Sequence, residues 1–152
     1  MSTMSKKNEA RLNSALELLF YGYRAFTALP DEILAERKLA RVHHRILYFV
    51  ARDPGLSVNK LLSRLCVSKQ ALNAPLRELQ ERGLVISVAS EQDRRVKCLN
   101  LTEEGMALEA QLSASQHKLL SSIFNICGPE AETGWRMVMT ALANNSPDKL
   151  QR

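Results

Sequence analysis

Two neighbouring stretches decide the fold: Leu79-Gln80-Glu81-Arg82-Gly83-Leu84-Val85, and then Asp93-Arg94-Arg95-Val96-Lys97-Cys98-Leu99-Asn100-Leu101-Thr102. Across them the apolar period falls from that of a helix to that of a strand. Gly83 stands where a helix ending near Arg82 needs its C′ residue, because glycine enters the left-handed region without a Cβ penalty. Leu84 to Ala89 then reads as a strand, Ser90 to Arg94 as a polar loop, and Arg95 to Leu101 as the returning strand of a hairpin. Thr102 caps a further helix, with Glu103 and Glu104 at the positive end of its dipole.

Moving upstream, Ser68 is an N-cap for the helix that ends at Arg82, and Ser57 is an N-cap for a short helix carrying Val58, Leu61, Leu62 and Leu65. Asp53-Pro54-Gly55 is turn chemistry. It separates the short helix from one spanning about Arg41 to Arg52. Before that, Leu12, Leu16, Leu19, Tyr23 and Phe26 recur at helical spacing in a helix from Asn8 to Leu29. Pro30 is expected to end it, and a short separate helix is expected from Asp31 to about Lys38. Downstream, the helix opened by Thr102 continues to about Cys127, Gly128-Pro129 breaks it, and a last helix runs from about Glu130 to Asn144, with a frayed tail to Arg152. The layout is mainly α with a small β-hairpin. Two short helices joined by a tight turn and followed at once by a hairpin are what a winged helix-turn-helix requires.

On a helical wheel, Leu72, Leu76 and Leu79 of the second short helix share one side. Gln70, Asn73, Ala74 and Arg77 lie toward the other, with Ser68 and Lys69 at the N-terminus. Gln and Asn can pair bidentately with adenine, Arg with guanine, and Lys with phosphate. The same residue types also make an ordinary solvated helix face, and the helix alone does not choose between the two. The hairpin that follows favours the first.

The motif Asp93 to Thr102 fits D-x-R-x-x-x-[V/L]-x-L-T, Leu79 to Val85 fits L-x-x-x-G-L-[VI], and Glu103-Glu104-Gly105 follows. Together with Leu56 to Leu61 upstream, these elements resemble the multiple-antibiotic-resistance regulator (MarR) family over about residues 40 to 110. The run Lys69 to Leu79, with Val42 to Phe49, resembles the subset controlling nicotinate or other aromatic-acid breakdown. The resemblance implies a homodimer joined by terminal helices over 8–38 and 102–145, around a DNA-binding lobe over 41–101, in one domain spanning 1–152. It implies a pseudo-palindromic double-stranded DNA operator, and a wing whose Arg95 enters a minor groove with Asp93 orienting it, flanked by Arg94 and Lys97. An inserted arginine gains from the negative potential of a narrow groove. The opposing view is a surface Asp–Arg pair that braces the turn, contributing ~0–1 kcal/mol.

The resemblance also implies a small aromatic acid held between the dimer helices and the lobe. Tyr21, Arg24, His43, His44, Arg45 and Tyr48 are its candidate contacts, the cations for a carboxylate and the rings for stacking. For each, a structural role is an equal alternative. The sequence departs from the family at Cys66, in the turn where glycine is frequent, and at Pro75, inside the candidate recognition helix. Pro75 is expected to kink that helix or displace its first turn.

Composition agrees without deciding. A 45% hydrophobic fraction with 5% aromatics implies an aliphatic core, and a net charge of +5 with a pI near 9.3 suits a polyanionic partner. Cys66, Cys98 and Cys127 are odd in number and form no CxxC pair, so neither a disulfide framework nor a zinc site is expected. No Ser-His-Asp or Cys-His pattern or phosphate loop points to an enzyme, and no cofactor or metal is expected. No leader or membrane span is legible, and the cytoplasm is the expected location. A thiol redox sensor of the same fold and a winged-helix protein-interaction module remain as alternatives.

Overall fold

The computed structural model describes residues 5–146. Six helices and one hairpin follow in the order α1 (Lys6–Glu36), α2 (Arg41–Arg52), α3 (Val58–Leu65), α4 (Lys69–Glu81), β1 (Val85–Ala89), β2 (Lys97–Leu101), α5 (Glu103–Cys127) and α6 (Pro129–Asn144). The serine and threonine caps act as their positions imply. Ser57 accepts from Lys60 N, Ser68 from Ala71 N and Thr102 from Gly105 N. Each satisfies an amide that the first helical turn leaves without a partner.

The core is aliphatic. Ile46, Leu47 and Val50 of α2 meet Leu61 of α3, Leu72, Leu76 and Leu79 of α4, Val85 and Leu99 of the hairpin, and Leu108 and Leu112 of α5. Leu34 is the deepest contribution from α1. The hairpin is antiparallel, with Val85 opposite Leu101, Ser87 opposite Leu99 and Ala89 opposite Lys97. The far edge of β2 is covered as well: Gly55 N donates to Leu99 O at 2.8 Å and Leu99 N to Leu56 O at 2.9 Å. The Asp53-Pro54-Gly55 turn thereby locks α2 and α3 to the wing.

At the base of the wing the backbones crowd. Thr102 Oγ1 donates to Gly83 O at 2.6 Å, and Thr102 N donates to Leu84 O at 3.1 Å. A Cβ on Gly105 would lie 2.0 Å from that same Leu84 oxygen. Glycine at 105 is what lets the first turn of α5 pass the end of α4.

The expected break at Pro30 does not occur. α1 runs unbroken from Lys6 to Glu36 with Pro30 inside it, and no separate helix forms over Asp31 to Lys38. Pro30 and Leu34 are both buried, so packing of the last turns outweighs the one backbone bond that proline removes. The helix ends instead at Glu36, and Lys38, just past the Arg37 cap, is a non-glycine residue at φ 55. The strands are also shorter than expected, β1 starting at Val85 and β2 at Lys97. Arg95 and Val96 belong to the turn, which Val96 N closes on Asp93 O at 2.9 Å. The last helix begins one residue early, at Pro129, after Gly128 at φ 92. Residues 147–152 of the expected frayed tail lie outside the described residues.

Candidate nucleic-acid interface and effector cavity

α3 and α4 are joined by a tight turn centred on Cys66, which adopts the left-handed conformation at φ 54 and ψ 42. A cysteine there carries the strain that glycine would avoid. α4 then presents two faces. Leu72, Leu76 and Leu79 are buried, whereas Lys69, Gln70, Asn73, Ala74 and Arg77 are exposed, as is the capping Ser68. The helix continues as one element through Pro75, with its first turn held by the Ser68 cap rather than displaced. Proline has no amide to donate to the Ala71 carbonyl, so the helix is weakened there without being divided.

Beside α4, the loop of the hairpin carries Asp93, Arg94 and Arg95. Arg95 donates from its own amide and from Nε to Asp93 Oδ1, both at 3.1 Å, and from Nη2 to Oδ2 at 3.2 Å. The guanidinium, and then the amide, hold the Asp93 carboxyl below its ordinary value. The Arg95 side chain nevertheless stays 91% exposed. The clamp therefore orients the cation without removing it from water. Arg94 and Lys97 are exposed as well.

A cavity of about 210 Å³ opens between α1 and α2, bounded on one side by Gln116 of α5. His44, Arg45 and Tyr48 line it; Tyr21, Arg24 and His43 do not. Tyr21 is exposed on the far arm of α1, and Arg24 is also exposed. His43 points away, its Nδ1 accepting the Ala40 amide at 2.9 Å and its Nε2 lying 2.9 Å from Glu78 Oε2. Reading the sequence missed Tyr23, Phe26, Thr27, Pro30, Asp31 and Arg41 in the cavity wall. The α1 members follow one helical stripe, i, i+3, i+4, i+7 and i+8. Ending the helix at Pro30 cuts Pro30 and Asp31 off from that stripe.

The charges in the cavity are unequally free. Arg41 is clamped on Asp31, with Nη2 to Oδ2 at 2.7 Å and Nε to Oδ1 at 3.0 Å, and the pairing holds Asp31 below the usual carboxylate range. Arg52, outside the cavity wall, pairs with Glu109 and lies over the Tyr48 ring, 4.1 Å from its centroid. Burial pushes His44 down, toward the neutral imidazole. Arg45 meets the uncharged Tyr23 hydroxyl at 3.3 Å and is exposed. It is thus the cation of this wall best placed to take an incoming carboxylate.

A support helix, an outward-facing helix and a hairpin in this order constitute a winged helix-turn-helix, the architecture of a class of transcriptional regulators. The MarR family model matches residues 38–96. Over 134 residues the chain is 42% identical to the HTH-type transcriptional regulator PetP of Rhodobacter capsulatus, an alignment covering 88% of this chain and 81% of that one. The chain belongs to the MarR family of transcriptional regulators. Its fold is similar to that of NadR in complex with 4-hydroxyphenylacetate, at TM-score 0.72 and 23% identity over 96% of this chain and 100% of that one. It is also similar to a mutant of S. aureus MepR bound to an oligodeoxyribonucleotide, at TM-score 0.60 and 17% identity over 86% of this chain and 96% of that one.

Proposed function

We propose that the chain is a homodimeric, sequence-specific DNA-binding repressor, released from a pseudo-palindromic operator by a small aromatic acid. The observation that carries the DNA-binding part is the pairing of two exposed features on one lobe. α4 buries its leucines and turns Gln70, Asn73 and Arg77 outward, while the wing beside it holds out an oriented Arg95. A helix for the major groove and an arginine for the adjacent minor groove form one reading surface. Ser68, Lys69, Arg94 and Lys97 add backbone contacts, which position the helix without reading sequence. The oligonucleotide held by MepR supports this reading.

The cavity supports the effector. It joins rings from Tyr23, Phe26, Tyr48 and Phe49 to the Arg45 cation. That chemistry suits an aromatic carboxylate, of the kind bound by NadR and formed in nicotinate or aromatic-acid breakdown. The chain divides functionally into terminal dimer helices over 8–38 and 102–145 and a reading lobe over 41–101, and it acts without a cofactor or catalysis.

Selection from a random duplex library, followed by titration of the complex with salicylate and 4-hydroxyphenylacetate, tests both parts. An enriched palindrome released by either acid is the expected result. Asn73→Ala and Gln70→Ala should each relax preference at one position, by ~1–3 kcal/mol of discrimination. Release by peroxide and by neither acid replaces the effector reading with thiol sensing. Failure to enrich any sequence replaces DNA reading with a protein-interaction role.

A further inference from the structure

α4 is attached to the rest of the chain in two different ways. Leu72, Leu76 and Leu79 are buried in the core, and contacts of that kind are non-directional. They hold the helix down yet tolerate a small roll or slide. Bidentate pairing to a base edge does not tolerate it, because hydrogen bonds weaken steeply away from their preferred distance and angle.

The second attachment is directional. His43 of α2 is 6% exposed, and its Nδ1 accepts the Ala40 amide at 2.9 Å. That contact fixes the tautomer: the proton sits on Nε2, which donates to Glu78 Oε2 at 2.9 Å. The other carboxylate oxygen of Glu78 accepts from Arg82 Nη2 at 2.6 Å. Arg82 in turn donates to the Arg37 carbonyl and, at 3.3 Å, to the Lys38 carbonyl, beyond the last turn of α1. One carboxylate on α4 thus joins the end of α1, the start of α2 and the C-cap of α4 itself. Arg82 and, next, His43 hold the Glu78 carboxyl below its ordinary value, so both bonds are charge-assisted. The bridge lies C-terminal to Pro75, where the helix lacks its bond to the Ala71 carbonyl.

We infer that His43, Glu78 and Arg82 are positioning residues for base reading: their bridge sets the roll of α4 in the groove, and touches no DNA itself. The inference rests on the proposal that α4 reads bases. It also gives α1 and α2, the walls of the effector cavity, a rigid hold on the reading helix.

Two substitutions of His43 separate positioning from simple stability. Asparagine places an acceptor near the ring's Nδ1, and glutamine a donor near its Nε2. His43→Asn keeps the cap on Ala40 and loses the bond to Glu78; His43→Gln does the reverse. Glu78→Ala removes the bridge from the other side. The measurements are affinities for the sequence enriched by the wild-type chain and for random duplex, beside a thermal melt. His43→Asn and Glu78→Ala should lower the ratio of the two affinities by roughly tenfold, about one misplaced base contact, beyond what any fall in melting temperature shared with His43→Gln accounts for. His43→Gln should keep the ratio even where it melts lower. A ratio that follows melting temperature across the variants, or that stays constant in every folded one, overturns the inference. A wild-type chain that enriches no sequence removes the proposed function first, and this role with it.

Discussion

The reading lobe and the terminal helices solve the burial problem differently. From α2 to the start of α5 each helix buries leucine, isoleucine or valine in a shared core, Ile46, Leu47, Leu61 and Leu99 being wholly inaccessible, while Ile86 and Val88 on the outer face of β1 stay exposed. In α1 no residue before Thr27 is buried, and α6 buries none of its residues. Leu16, Leu18, Phe20 and Tyr21 of α1 are more than half exposed, as are Ile126 of α5 and Met137, Val138 and Leu142 of α6. A helix gains most of its stability from packing one face, and exposed apolar surface of this extent marks an interface. The core of the lobe is thus closed by its own side chains, whereas the arms leave apolar faces open, as the proposed homodimer requires. Each large apolar side chain fully covered there would contribute about 1.5–3 kcal/mol.

Charging the arms should have the largest effect. Phe20→Glu combined with Val138→Glu should convert the dimer to monomer in sedimentation and abolish the concentration dependence of melting. Operator affinity should fall ~100-fold or more through lost bivalency. An unchanged sedimentation coefficient would show that the open faces are not the interface. Gly105→Ala attacks the lobe instead. Its new methyl meets a backbone oxygen rather than a movable side chain, so a cost of about 1–3 kcal/mol or more is expected in a melt. Dimerisation should survive, because Gly105 sits at the lobe end of α5 and the exposed apolar side chains of the arms are unchanged.

Arg95→Ala acts at the exposed wing. It should weaken operator binding by a few kcal/mol at most and reduce the salt slope by about one, with Asp93→Ala giving a smaller loss of the same kind. Melting should barely move, since the side chain is 91% exposed. A large drop in melting temperature would instead make the pair a brace of the turn. The smallest effect concerns His44. Burial lowers its pKa in the folded chain, so the unfolded chain binds more protons just below the ordinary value of 6.5. Stability should therefore rise with pH through that window, and His44→Asn should flatten the rise in melts taken on either side of it. A carboxylate in the cavity favours the imidazolium, so salicylate should bind more tightly as pH falls through the same window. Calorimetry in buffers of different ionisation enthalpy would register the proton taken up.

Most of the lobe was legible in the sequence because its signals are local. Ser57, Ser68 and Thr102 cap helices through hydrogen bonds spanning three residues, Gly83 ends one by its backbone freedom, and the period change at Leu84 marks the hairpin. The exposed face of α4 follows from where its leucines fall. The wing motif likewise places Asp93 and Arg95 in one turn. These are relations among neighbours in the chain, and propensity and periodicity record them. Tertiary structure decided what depends on distant partners. Burial of Pro30 and Leu34 carried α1 through a proline that local rules treat as a stop, and that continuity put Pro30 and Asp31 on the same stripe as Tyr23 and Phe26 in the cavity wall. Neighbours in sequence, His43 and His44 parted company: one caps α2 and grips Glu78, the other faces the cavity. Adjacent residues on a helix point about 100° apart, and which of them meets a carboxylate 35 residues away is fixed by how α2 packs on α4.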